Sequence, residues 1–141
     1  MDTYTPKALS TEIAEEEVKK WLEYKRISFN REDEEDMAKF KNLVKGFMIG
    51  NLILQDDFKI TQKLKWPLQD ESGNDAVSEL VYKPRLNVKQ INAKMKGVKA
   101  TDADGRIVGY VAALTDQNTG IIEKLDTADN SVAQSIVMYF L

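Results

Sequence analysis

The segment "FKITQKLKW", residues 58–66, changes the period of the chain and limits what it can fold into. Phe58, Ile60, Leu64 and Trp66 alternate with Lys59, Thr61, Lys63 and Lys65, and only Gln62 interrupts the apolar row. A two-residue period belongs to a half-buried strand, because successive strand side chains point to opposite faces. The lysine row suits a solvent face that resists edge-to-edge pairing. Pro67 closes the run, "QDESGND" supplies turn residues, and "AVSELVYKP" returns before Pro84. Residues 58–83 are therefore expected to form a β-hairpin with Phe58, Ile60, Leu64 and Trp66 facing the interior.

Everything before this segment has a helical period. Ala14, Val18, Trp21 and Leu22 fall on one stripe, Ser10 or Thr11 can cap it, and Glu12, Glu15, Glu16 and Glu17 favour the positive end of the helix dipole. That helix should end near Ile27. Asn30 or Asp33 starts a second one with Met37, Phe40, Val44, Phe47 and Met48 on one face, weakened by Gly46 and Gly50. The run "FMIGNLIL" either extends this helix or forms a short strand.

Short helices follow the hairpin. Asn87 reads as the N-cap of "VKQINAKMKG", with Val88, Ile91 and Met95 on one face and Gly97 as its stop. After the loop "VKATDADG", "RIVGYVAALT" and "GIIEKL" give two more helical pieces. Asp126 or Thr127 then caps a last helix striped by Val132, Ala133, Ile136 and Phe140. The expected fold class is α+β: an N-terminal helical arm over residues 1–57, then a unit over 58–141 made of a β-hairpin and a cluster of short helices.

The 141 residues suffice for one core, and 43% hydrophobic with 30% charged residues is ordinary globular composition. The chain has no cysteine and no histidine, which removes disulfides, thiol nucleophiles, zinc-thiolate sites and the commonest general base. The start has no basic segment followed by an apolar run, and no stretch is long and apolar enough for a membrane span, so a cytoplasmic protein without membrane partners is expected. Net charge is −3, distributed as −4 over residues 1–57, +5 over 58–99 and −4 over 100–141. Such a layout suits solvated faces of separate elements, and it would also support head-to-tail self-association or an acidic partner.

Few residues invite a chemical role. "TDADG" has acidic residues two apart before a glycine, but with Gly105 at the sixth position of a calcium loop the first and twelfth positions would be Ala100 and Val111. Asp104-Gly105 is instead expected to be a turn, and Asp126 and Asp129 to serve a helix N-terminus. No phosphate-binding glycine loop, nucleophile elbow or metal-ligand cluster is present, so no catalytic residue, cofactor or metal is assigned. The lysines between Lys59 and Lys99 raise a nucleic-acid reading, which the inward placement of Trp66 and the acidic pI near 5.1 oppose.

Taken in order, Leu64 with Pro67, Gly73, Leu80 with Val81, Ala113-Leu114-Thr115, and Leu125 with Asp129 resemble a known pattern. It is that of the tail assembly chaperones of long-tailed bacteriophages, the group that includes the small tail proteins of P2-like and Mu-like phages. In these a strand ending in Leu-x-x-Pro passes through a glycine-bearing turn to a second strand, then short helices with an Ala-Leu-Thr step and a Leu-x-x-x-Asp step. The resemblance covers roughly residues 58–141, and residues 1–57 fall outside it.

The resemblance implies a non-enzymatic assembly factor of the bacterial host cytoplasm. Such a chaperone binds the long, mostly helical tape-measure protein and is displaced when tail-tube subunits polymerise around it. It also implies a possible longer sibling made by ribosomal frameshifting. Contacts that must later release are weak and apolar, and methionine adapts to varied surfaces, which makes Met37, Met48 and Met138 candidate partner-binding residues. Helical geometry puts Ile136 and Phe140 on the core side of the last helix, with Tyr139 and Leu141 about 100° to either side of Phe140, so either Met138, Tyr139 and Leu141 complete the candidate surface or this end simply closes the core. A homo-oligomer is compatible with it. Two other classes compete: a structural tail or head-tail component that oligomerises in the virion, and a basic-hairpin nucleic-acid adaptor.

Overall fold

The computed structural model of the chain describes residues 8–141, so the first seven residues of the expected arm lie outside the described residues. The order of elements is α1 (Thr11–Tyr24), α2 (Glu34–Met48), β1 (Leu52–Leu54), β2 (Ile60–Gln69), β3 (Asp75–Tyr82), α3 (Val88–Lys94), α4 (Ala103–Thr115), α5 (Thr119–Ile122) and α6 (Thr127–Val137). This is an α+β fold with one antiparallel sheet in the order β1-β2-β3.

The helices begin where side-chain acceptors are available. Ser10 accepts from the Ile13 amide, Asp33 from Asp36, Asn87 from Gln90 and Asp126 from Ala128, each satisfying a first-turn N–H that has no partner inside its helix. At α3 the Gln90 side chain returns a bond to the Asn87 amide, completing a capping box. Asp102 caps α4 by accepting from the Gly105 amide at 2.9 Å. Asp104-Gly105 is therefore the first turn of a helix and not a loop turn: a second aspartate two residues upstream supplies the cap, so α4 starts three residues before the apolar run.

The sheet has three strands: the two of the expected hairpin and the short one that was the alternative reading of "FMIGNLIL". Helix α2 stops at Met48, Gly50 takes φ 83°, and the chain turns back into β1. The left-handed backbone at this position suits a residue without a Cβ. Gly46 has a second reason to be small, because a Cβ there would sit 2.6 Å from Leu52 Cδ1. Strand β1 pairs with β2 in the register Leu52↔Gln62, Ile53↔Thr61, Leu54↔Ile60. The boundary expected between residues 57 and 58 is thus crossed by a strand pair, and α2 also packs on α6.

One core lies between the helices and the inner face of the sheet. Ala14, Val18, Trp21 and Leu22 of α1 meet Phe40, Leu43, Val44 and Phe47 of α2. Leu52, Ile60, Leu64, Leu80 and Tyr82 line the sheet side, and α4 and α6 add Val111, Leu114, Ala133 and Ile136. At roughly 25 cal/mol per Å² of apolar surface, burial of this size is the main stabilising term.

Two residues of the expected inward row do not point inward. Phe58 lies outside β2, in the loop after β1, with φ 66°, a left-handed conformation that is costly for a bulky side chain. Its ring stacks on Tyr24 at 4.2 Å between centroids, which offsets part of that cost. Trp66 is 58% exposed. Between Lys63↔Glu79 and Leu68↔Val77 the ladder loses register, β2 carrying three more residues than β3, so the two-residue alternation does not continue through Trp66. Pro67 sits inside this irregular segment, where its missing N–H removes no ladder bond.

Candidate functional site

Asp129 holds the irregular segment of β2. It lies in the first turn of α6, is 1% exposed, and accepts from the Lys65 amide at 2.9 Å with Oδ1 and from the Trp66 amide at 3.0 Å with Oδ2. Both amides would otherwise lose a partner where the β2–β3 ladder breaks, and an ionised carboxylate is a strong acceptor for two N–H groups. Its expected service to the α6 dipole is accompanied by this larger task on another element.

Gln62 continues the joint inward. Fully buried in the apolar row, it donates from Nε2 to the Asp129 carbonyl at 2.9 Å and accepts at Oε1 from the Tyr82 hydroxyl at 2.6 Å. Burial, and then the nearby Asp129 charge, push the Tyr82 phenol upward from its ordinary pKa. The chain Tyr82–Gln62–Asp129 thus ties β3, β2 and α6 through satisfied polar groups, and the carboxylate of Asp129 turns Trp66 out to solvent. The interrupting Gln62 was the sequence signal for this network, since a buried amide needs partners.

The exposed surface around β2 is mixed. Ile53, Thr61 and Val81 lie side by side across the sheet, with Ile53 and Val81 exposed. Lys63 pairs with Glu79 and Lys59 with Asp57, the latter at 3.7 Å. Trp66 stands beside Lys65, for which no ion pair within 4.0 Å is found among the described residues. Since Trp66 contributes little to the core, Trp66→Ala is expected to cost under about 1 kcal/mol of stability. The sequence pattern alone implied roughly 3–5 kcal/mol for a core tryptophan, and denaturant unfolding separates the two values.

A second region gathers three of the five candidate partner-binding residues. Met138, Tyr139 and Leu141 line a groove of about 140 Å³ with Leu22, Ile27, Ser28, Phe29, Asp36 and Lys39. Met138 is 39% and Leu141 57% exposed, while Tyr139 is half-buried with its ring edge-on to Trp21 at 5.6 Å. Met37 and Met48 are half-buried on α2 and do not line the groove. Met48 packs against the core.

Lys25, which the sequence did not single out, closes this region on its other side. Its Nζ donates to the Pro84 carbonyl at 2.6 Å and lies 3.7 Å from the Phe140 ring centroid and 5.3 Å from that of Trp21. The carbonyl and the rings favour the ammonium form, but desolvation, and then the charge of Arg85, outweigh them and lower the pKa to about 8. Burial, and then the charge of Asp36, raise the Tyr139 phenol to about 12.

These shifts set the alkaline behaviour. The unfolded chain keeps the Lys25 proton up to its ordinary value near 10.5, so this residue's contribution grows as pH rises from about 8 to about 10.5. Tyr82 and Tyr139 do the opposite, holding protons that the unfolded chain releases near pH 10, so their contribution falls above that. The expected denaturation midpoint is level or rising between about pH 8 and about pH 10 and falls beyond. A steady fall beginning near pH 8 would contradict these assignments.

Among the described residues no group of three or more acidic side chains comes together as a metal cage, and no helix is long and apolar enough to cross a membrane. No family model, no curated protein and no solved structure matches the chain.

Proposed function

We propose that this chain is a non-enzymatic tail assembly chaperone of a long-tailed bacteriophage, which binds apolar faces of the helical tape-measure protein in the host cytoplasm before the tail tube polymerises. The observation that supports it is the joint at Asp129. The Leu-x-x-Pro step at Leu64 and Pro67 and the Leu-x-x-x-Asp step at Leu125 and Asp129 lie some sixty positions apart in sequence. They meet through the Asp129 bonds to Lys65 and Trp66, the two residues between Leu64 and Pro67. Residues that carry the resemblance thus act on one another, as parts of a single folding unit would. Met138, Tyr139 and Leu141 at the groove and Trp66 beside the joint supply modest apolar contacts of the kind a releasable chaperone needs.

The test is co-expression with a tape-measure protein of a long-tailed phage, followed by affinity capture and by protein analysis of purified particles. A soluble complex, together with absence of this chain from finished particles, supports the proposal. Presence in the particle at stoichiometric level would instead identify a structural tail or head-tail component. One observation favours a nucleic-acid reading: Trp66 is exposed beside Lys65, where inward placement had counted against it. The pairing of Lys63 and Lys59 with acidic neighbours leaves that surface weakly basic, so this reading stands second. DNA binding that weakens steeply with added salt would promote it.

A further inference from the structure

Three observations converge on one seam, where residues after α6 lie against α1. Among the described residues, Trp21 Nε1 and Tyr139 Oη are the buried side-chain polar atoms without a hydrogen-bond partner. They belong to two rings that touch each other edge-on. Lys25 places its Nζ over Phe140 and Trp21 at the same contact. The 140 Å³ groove runs alongside, so Tyr139 is packed on one side and borders open space on the other.

The backbone of this segment is attached only locally. The amides of Met138, Tyr139 and Phe140 donate to Gln134, Ile136 and Val137, all in the last turns of α6. What holds the segment down is therefore the pair of rings on Trp21, at centroid distances of 5.6 and 6.1 Å, while the Lys25 ammonium lies over Phe140 at a desolvation cost that exceeds its attraction to the ring. Met138 and Leu141 stay exposed.

We propose that residues 138–141 form a strap that closes over Trp21 and opens by local unfolding while the rest of the fold stays intact. Opening costs two ring contacts and returns three polar groups to water: the Trp21 indole N–H, the Tyr139 hydroxyl and the Lys25 ammonium. Unpaired buried donors favour states in which they are solvated, and low-stability segments are where proteins keep their moving parts. The lowered pKa of Lys25 has the same sense, since the closed seam disfavours its charge. The open strap would uncover Trp21 and extend the groove of Leu22, Ile27 and Phe29 into a longer apolar trough. This inference rests on the seam alone and does not depend on the tape-measure reading.

The experiment is hydrogen exchange followed by NMR on the full chain, reading the Trp21 indole N–H, the Tyr139 and Phe140 amides and, as reference, the Val111–Leu114 amides of α4. The exposed Trp66 indole serves as the fast control. In the native protein the Trp21 indole should exchange together with the Tyr139 and Phe140 amides and well ahead of α4. Tyr139→Phe keeps the ring and removes the unpaired hydroxyl, and it should slow that shared exchange roughly tenfold while leaving α4 unchanged. Lys25→Met should slow it as well. A Trp21 indole that exchanges only with α4, a Tyr139→Phe variant that does not slow the strap, or a Lys25→Met variant that speeds it would overturn the proposal.

Discussion

Replacing Asp129 by alanine is expected to remove about 3–5 kcal/mol of folding stability. The substitution takes away an acceptor shared by the Lys65 and Trp66 amides in a place that is 1% exposed. Each abandoned amide costs about 1–3 kcal/mol, because no strand partner stands opposite it in the broken ladder. Asp129→Asn is the informative companion. Its carbonyl oxygen can keep one of the two bonds, but its NH2 group then faces the other amide, so about half the loss is expected. Urea unfolding of both variants, followed by far-UV circular dichroism, checks the ordering. A loss under about 1 kcal/mol for Asp129→Ala would mean that solvent replaces the carboxylate and that the joint does not organise the fold.

Trp21→Ala is expected to cost about 3–5 kcal/mol, in sharp contrast with Trp66→Ala. Trp21 is 1% exposed, sits among Val18, Leu22 and the α2 side chains of the core, and carries the Tyr139 and Phe140 rings. The loss should fall toward the lower end of that range, because the indole N–H is unpaired and its removal relieves a cost. Thermal unfolding of the two tryptophan variants side by side tests the register of the whole sheet. Equal losses would place Trp66 back in the core and contradict the broken ladder.

The difference between the tryptophans also marks where the sequence could be read and where it could not. Helix α1 was legible because period, cap and acidic first turn all agree over fourteen residues, and the four residues of the expected stripe are the ones buried. The hairpin was legible as a pair of strands, but the fate of Trp66 was not. The alternation is local, whereas the carboxylate that ends it stands 63 positions away. Strand β1 was legible only as one of two alternatives for its run. Three residues after a glycine-rich helix end carry no period of their own, and only pairing with β2 makes them a strand.

The candidate surface follows the same division. Met138, Tyr139 and Leu141 were adjacent in sequence, and they line one groove. Met37 and Met48 were chosen for chemistry although the helical period put them on the apolar face of α2, and they are half-buried there, away from the groove. Lys25 gave no signal because its environment comes from Pro84, Arg85 and Phe140, none of which is near it in the chain. The one in-sequence hint of long-range structure was Gln62, a polar residue in an apolar row, whose partners are Tyr82 and the Asp129 carbonyl.

The proposed role is tested most directly by calorimetric titration of the chain with purified helical segments of tape-measure proteins from long-tailed phages. The predicted result is saturable binding with a Kd on the order of micromolar and a negative heat-capacity change from buried apolar surface. The same titration with Met138→Ser and Leu141→Ser together should be weakened roughly tenfold, the loss of about 1.4 kcal/mol of apolar contact. Absence of binding by any tape-measure segment, from a protein that is folded by its unfolding transition, would contradict the chaperone reading.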